Sequence, residues 1–360
     1  MSQQNTRLIV IAAVVIIVVG AGYWYYSTSM KPKPPTEMLV WAAIGEKALV
    51  ESYIAPIMLE EYNCKIIVEE ALVSEMLTKL KAEGDNPSFD VASLDSANII
   101  TAKNLGLLHK ITVDDVPNLK EIPEGLLDPT QYSVPRTLSF VGLWYDYELF
   151  ESKGWDPPDS WYDLWDPKFE NRVVLPPGAG TWSWSLFQII NRLEGGDIET
   201  NWDPGFAKIK ELLPNVHSFS PRSSNTMTLV ERDEAWLGPF GLSYTVVAQG
   251  KGITMKPVFC KEGIEYSKGN VVITANAPNI DLAYKYVNLI LSAGYQAEQY
   301  TTNSYGPINP NAIDLLTAEE LKNYMFTEEN IALSYPNAVE TYAARKEEFM
   351  ERWNTEIETK

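Results

Sequence analysis

From Met38 onward the chain alternates short apolar runs of strand length with longer stretches whose apolar residues recur at helical spacing, the pattern of a parallel α/β sheet. Met38 to Ala43 reads as a strand. Leu49, Val50, Tyr53, Ile54, Ile57 and Met58 then share a helical face, with a kink expected at Pro56. Lys65 to Glu69 is a second strand. Ser74 is placed to cap a helix bearing Met76, Leu77 and Leu80, and Phe89 to Ser93 is a third strand. A second unit of the same kind begins near residue 139. It has strands at Arg172 to Leu175, Val216 to Phe219 and Ala235 to Leu237, and a helix from near Thr181. Gly252 to Lys256 leads to a further strand, Asn270 to Ala275. Helices follow over Asp281 to Leu291 and Ala338 to Thr359. A length of 360 residues accommodates about two domains, and the absence of a short repeat excludes a solenoid.

Ahead of this body, Leu8 to Tyr26 carries no charge, which is close to the roughly 20 apolar residues a helix needs to cross a bilayer. Tyr23, Trp24, Tyr25 and Tyr26 close the run with rings that favour the headgroup level. Residues 1–30 are therefore expected to be an anchor, one N-terminal transmembrane helix. A cleaved secretory signal ending near Val19-Gly20-Ala21 is the alternative. Residues 31–36, Lys-Pro-Lys-Pro-Pro-Thr, form a stiff linker. Either reading sends the body to the outer side of the cell membrane.

Charge supports this division. The chain holds 29 basic against 48 acidic residues, a net charge of -19. Only Arg7, Lys31 and Lys33 are charged before Glu37, so a body of -22 follows an anchor and spacer of +3. An acidic surface of that size repels phosphate backbones, and nucleic acid is excluded as a partner. Two cysteines, Cys64 and Cys260, and two histidines cannot supply a disulfide framework or a structural zinc site. No nucleophile elbow, phosphate loop or His-Glu-x-x-His motif is present, so no catalytic residue, metal or cofactor is assigned.

In open α/β sheets ligands sit beyond the carboxyl ends of the strands. Two loops there share a composition. Leu175 to Trp182 contains Gly180 and Thr181 and enters a helix beside Trp182, and Ser220 to Thr226 contains Ser223, Ser224 and Asn225. Both can present backbone N–H groups and hydroxyls to an acceptor. Asp95 and Ser96 follow the third strand at the equivalent place, where Asp95 is a helix cap or a ligand carboxylate. Arg136, between the units, either clamps an anion or pairs with an acid at a hinge. Phe240 is added to the candidate ligand-binding set. The other tryptophans between Trp144 and Trp184 are expected in the core.

Asp159 to Glu170, Val173 to Leu175, Leu213 to Val216 and Tyr305 to Asn309 resemble the extracellular solute-binding proteins of ABC importers, nearest to the spermidine/putrescine-binding branch. The resemblance implies a two-lobed periplasmic-binding-protein-like clamp of type II, with residues 37–138 and 269–313 as lobe 1 and 139–268 and 314–360 as lobe 2. It further implies a monomeric, non-enzymatic body that closes on a small molecule and delivers it to a permease and its ATPase. The branch points to a polyamine-like ligand, and the family resemblance adds Ala43 and Tyr305 to the candidate ligand-binding set. Ser267-Lys268-Gly269, Gly178 to Thr181 and Ala42-Ala43 stand where that branch places its ligand-contacting aromatic and acidic residues, and the loops here favour an anionic or zwitterionic solute. A membrane-anchored sensor or adaptor of the same fold, and after it an exported enzyme, are the alternatives.

Overall fold

The structure, a computed structural model, describes residues 34–359 apart from 44, 179 and 323. The apolar segment expected to span a membrane lies outside the described residues. Among the described residues no helix is long and apolar enough to cross a bilayer.

Ten strands form one sheet: β1 (Thr36–Ala43), β2 (Cys64–Ala71), β3 (Val91–Leu94), β4 (Val134–Asp146), β5 (Val173–Leu175), β6 (Val216–Phe219), β7 (Leu237–Gly241), β8 (Met255–Val258), β9 (Glu265–Ile273) and β10 (Tyr335–Pro336). Their order is β2-β1-β3-β9-β4-β7-β5-β6, with β10 against β9 and β8 against β4. The connecting helices are α1 (Ala55–Tyr62), α2 (Val73–Glu83), α3 (Ser96–Asn104), α4 (Tyr147–Lys153), α5 (Thr181–Leu193), α6 (Asp203–Glu211), α7 (Ser223–Glu231), α8 (Ser243–Gly250), α9 (Ile280–Ile290), α10 (Ala293–Asn303) and α11 (Val339–Arg352).

Two long antiparallel strands hold the sheet together. β4 runs beside β9 from Val134 opposite Val271 to Val141 opposite Glu265. The far part of β9 pairs with β3, Val91 opposite Ile273. The far part of β4 pairs with β7, Val141 opposite Gly241, and with β8. One end of the sheet is thus β2-β1-β3 and the other β7-β5-β6; the chain passes between them twice along these two strands and a third time over residues 304–338, between α10 and α11. Every residue of β4 except Ser139 is buried, as befits a strand covered on both faces.

Local details depart from the sequence expectations for physical reasons. Pro56 does not kink a continuous α-helix. A π-helical stretch, Val50–Ile54, precedes α1, and Pro56 occupies its first turn, where a missing N–H costs least. Helix α2 begins a residue before Ser74, and Glu75 reaches back to accept from the Leu72 N–H at 3.0 Å. Strand β7 starts where the expected one ends, because its Gly-Pro pair reads as a breaker. In the fold Gly238 leaves room for the Val174 carbonyl, which a Cβ would strike. β9 begins at Glu265, five residues before the expected Asn270.

Aromatic packing fixes the C-terminal helix. Phe349 of α11 meets Trp184 at 5.2 Å and Phe187 at 5.3 Å between ring centroids, and Trp353 beyond it is fully buried. Cys64 and Cys260 are separate buried thiols, pushed upward in pKa by burial.

Candidate functional site

A cavity of about 680 Å³ opens where the two ends of the sheet meet. Its floor comes from β4 and β9. Ser139 pairs with Ser267 and Val141 with Glu265, and the two-residue period of strands puts these four on one face. Its rim is built from helix starts that follow β3, β5, β6 and β7, namely Asp95 and Ser96 before and in α3, Gly180 and Trp182 at α5, Arg222 to Ser224 at α7, and Ser243 and Tyr244 at α8. This is the carboxyl-end crevice expected of open α/β sheets.

The rim is electropositive at three of its four helices. Helices α5, α7 and α8 have no side-chain cap and no acid in the first turn, so their first N–H groups carry the positive end of the helix dipole. The loop before α7 is shaped internally: Thr226 donates to Ser220 Oγ at 2.8 Å, and Ser220 donates to the Arg222 carbonyl at 3.1 Å. The exposed Arg222 guanidinium forms no ion pair among the described residues. At α3 the situation reverses. Asp95 accepts from the Asn98 N–H at 2.8 Å and from its side-chain amide at 3.1 Å, the cap role weighed from sequence.

An aromatic wall lines one side. The Trp182 ring lies 4.9 Å from Phe240 and 5.6 Å from Tyr244. The wall depends on Gly241, since a Cβ there would sit 2.9 Å from the indole. Tyr305 joins from the chain after α10. Burial first, then Tyr244 and a hydrogen bond with it, push its hydroxyl up to about 12.

Of the residues singled out from sequence, Asp95, Ser96, Gly180, Trp182, Ser223, Ser224 and Tyr305 surround this cavity. Phe240 is 1% exposed and backs Trp182 without reaching the opening. Thr181 lies in the first turn of α5; Asn225, in that of α7, is exposed and outside the lining. Ala43 ends β1 and donates its N–H to Glu46 at 3.1 Å, also outside the lining. Arg136 takes the second of its two weighed roles. It is buried and ion-paired with Glu46, which also accepts from Ser93 at 3.2 Å. Burial opposes the charge of Arg136, and Glu46 more than restores it.

Sequence reasoning missed several lining residues. Tyr244 stands in the first turn of the helix that follows β7, the same place at which Trp182 was found after β5. Glu265 could have been found as the lone acid alternating with Ser267 in a strand. It is 0% exposed, and burial pushes its carboxyl up to about 7, while Ser185 and Asn337, both in the cavity wall, pull the other way. Neither of its oxygens closes a hydrogen bond of ordinary geometry. Lys268 edges the same cavity, but its ammonium is tied to the Leu126 carbonyl at 2.8 Å.

A sheet whose two ends are joined by shared strands, with a crevice of helix starts between them and no cluster of metal-ligating side chains among the described residues, defines a class of ligand-holding clamps. Comparison with known proteins makes this particular: residues 53–327 match the bacterial extracellular solute-binding protein family, and the chain belongs to it. A spermidine/putrescine-binding periplasmic protein of Haemophilus influenzae is 29% identical over 246 residues, covering 64% of this chain and 65% of that one, just under two thirds of its length. Among solved structures, an ABC transporter protein from Clostridium perfringens superposes with a TM-score of 0.78 at 21% identity, covering 89% of this chain and 99% of the other. A periplasmic binding protein from Actinobacillus pleuropneumoniae, solved with fructose-6-phosphate, superposes at 0.68 with 20% identity, covering 90% and 99%. The chain therefore has the α/β periplasmic-binding-protein fold of solute-binding proteins.

Proposed function

We propose that this protein is the outward-facing capture component of an ABC importer, closing two lobes on a small anionic or zwitterionic solute and passing it to the permease. The lobes are residues 37–138 with 269–313 and residues 139–268 with 314–360, and their relative movement is a twist of β4 and β9 where they cross. The reading includes a tether: residues 8–26 hold the body at the outer face of the cell membrane through the linker 31–36.

One observation carries the ligand class. The uncapped starts of α5, α7 and α8 and the unpaired Arg222 converge on one cavity, and oriented N–H groups with a guanidinium recognise oxyanions. Polyamine binding by the Haemophilus relative supports the transport role. Solutes as different as a polyamine and a sugar phosphate are held by proteins like this one, so the ligand follows the lining and not the fold.

Thermal unfolding of the full chain with a panel of carboxylates, phosphates, amino acids and polyamines tests this. A solute at about 100 times its dissociation constant adds about 2.7 kcal/mol of stability. No shift with any acid-bearing solute would remove the ligand class, and no shift with any solute would remove the capture role.

A further inference from the structure

Glu265 is a carboxylate in the wall of a cleft whose rim otherwise attracts anions. We propose that Glu265 is the cation-recognising residue of this cleft, so that the solute it selects is a small zwitterion, an acid bearing a separate amino group. The inference rests on the solute-binding reading above and specifies its ligand.

Its surroundings give Glu265 nothing to neutralise. It is fully buried on β9, with Val141 beside it on β4 and Tyr335 beside it on β10. Ser185 and Asn337 lie close enough to favour its charged form, but neither is a cation and neither closes a hydrogen bond of ordinary geometry onto its oxygens. The two cations on the cavity are placed elsewhere, Lys268 on the Leu126 carbonyl and Arg222 at the start of α7. Burying an unpaired carboxylate costs several kcal/mol, whereas a glutamine or methionine would fill the same space. An acid kept under those terms at a cleft marks a place where the counter-charge arrives with the ligand.

The rest of the lining accommodates such a ligand. Trp182, Tyr244 and Tyr305 present rings to the same cavity, and aromatic faces attract ammonium groups. The helix starts of α5 and α7 attract the acid group. One subsite of each sign also rejects the alternatives. A second ammonium would meet the positive helix ends, and a second carboxylate would meet Glu265.

Recognition of this kind is linked to protons. With its carboxyl raised to about 7, Glu265 is partly neutral near neutral pH, and an ammonium binds the ionised form, so affinity rises with pH through that value. Beside it, Tyr266 on β9 and Tyr335 on β10 are titratable, and the Arg192 guanidinium of α5 stacks on the Tyr335 ring. The other titratable or charged groups on the cavity are Asp95, Arg222, Tyr244, Lys268, Tyr305 and Tyr342. Comparison with E265Q isolates the contribution of Glu265 from theirs.

The test titrates the full chain and its E265Q variant with 4-aminobutyrate, putrescine and glutarate at about pH 5.5 and about pH 8.5. In parallel, small molecules released by denaturing natively purified protein are identified by mass spectrometry, and a released zwitterion takes the place of 4-aminobutyrate as titrant. Expected is zwitterion binding about thirtyfold tighter at the higher pH, and a loss of about tenfold or more in E265Q together with the pH dependence. Glutarate binding as tightly as the zwitterion, or undiminished affinity in E265Q, would overturn the assignment. Affinity falling as pH rises would also overturn it, as expected for a neutral carboxyl donating to an anion. A released compound without an amine sinks the role of Glu265 and leaves the capture role standing. No response and nothing released sinks both.

Discussion

Behind the end of β1, Glu46 is buried among donors: the Arg136 guanidinium, the Ser93 hydroxyl and the Ala43 N–H all point at its carboxylate. In the cleft wall on β9, Glu265 is buried with no cation beside it and, among the described residues, no hydrogen bond of ordinary geometry to either oxygen. The first arrangement is self-sufficient and ties β3 and β4 to the turn after β1. The second is incomplete without something the chain does not provide. Two residues of the same type at nearly the same depth therefore divide into structure and function according to their partners, and burial alone would have ranked them together.

The sharpest way to break this comparison is to remove a partner from the complete pair. Arg136→Ala should destabilise the protein by about 3–5 kcal/mol, the penalty of stranding a buried charge, in urea unfolding. A variant as stable as wild type would mean that Glu46 does not need its guanidinium. Next comes the pH dependence of the incomplete site. A carboxyl raised to about 7 in the fold and near 4.5 when unfolded keeps its proton longer in the native state. Stability is then full below about pH 4.5 and declines by on the order of 3 kcal/mol as pH rises to about 7. E265Q should lack that part of the slope; identical pH profiles would assign it to other groups. Smaller again, Trp182→Ala should weaken solute binding about tenfold, or about 1.4 kcal/mol, through loss of the aromatic wall. Calorimetry showing unchanged affinity would place the solute elsewhere. Last, Asp95→Ala should cost about 1 kcal/mol as a lost cap while Asp95→Asn costs little. An Asn variant as impaired in binding as the Ala variant would give Asp95 a ligand role instead.

Local patterns made much of the sheet readable. β1, β2 and β6 lie where short apolar runs stand, and Gly180, Trp182, Ser223 and Ser224 surround the cavity because loops at strand ends were the right place to search. Long-range pairing was the barrier elsewhere. β4 hides because nearly all its residues are buried on both faces, which removes the alternation that marks a strand, and because Pro135 and Arg136 interrupt it. The role of Arg136 is decided by Glu46, 90 positions earlier in the chain. Glu265 is one acid among 48 acidic residues until β9 brings it beneath the helix starts.

The unbroken passage of β4 and β9 between the two ends of the sheet has a consequence for how such a protein can change. Neither half is a cassette. Exchanging one for the corresponding half of another protein would require three crossovers far apart in sequence, two of them falling in the middle of a strand, with both ladders resuming in the same register. New specificity is therefore reached through single substitutions around the crevice, where a change such as glutamate for a neutral residue at position 265 alters what is carried while the frame stays as it is.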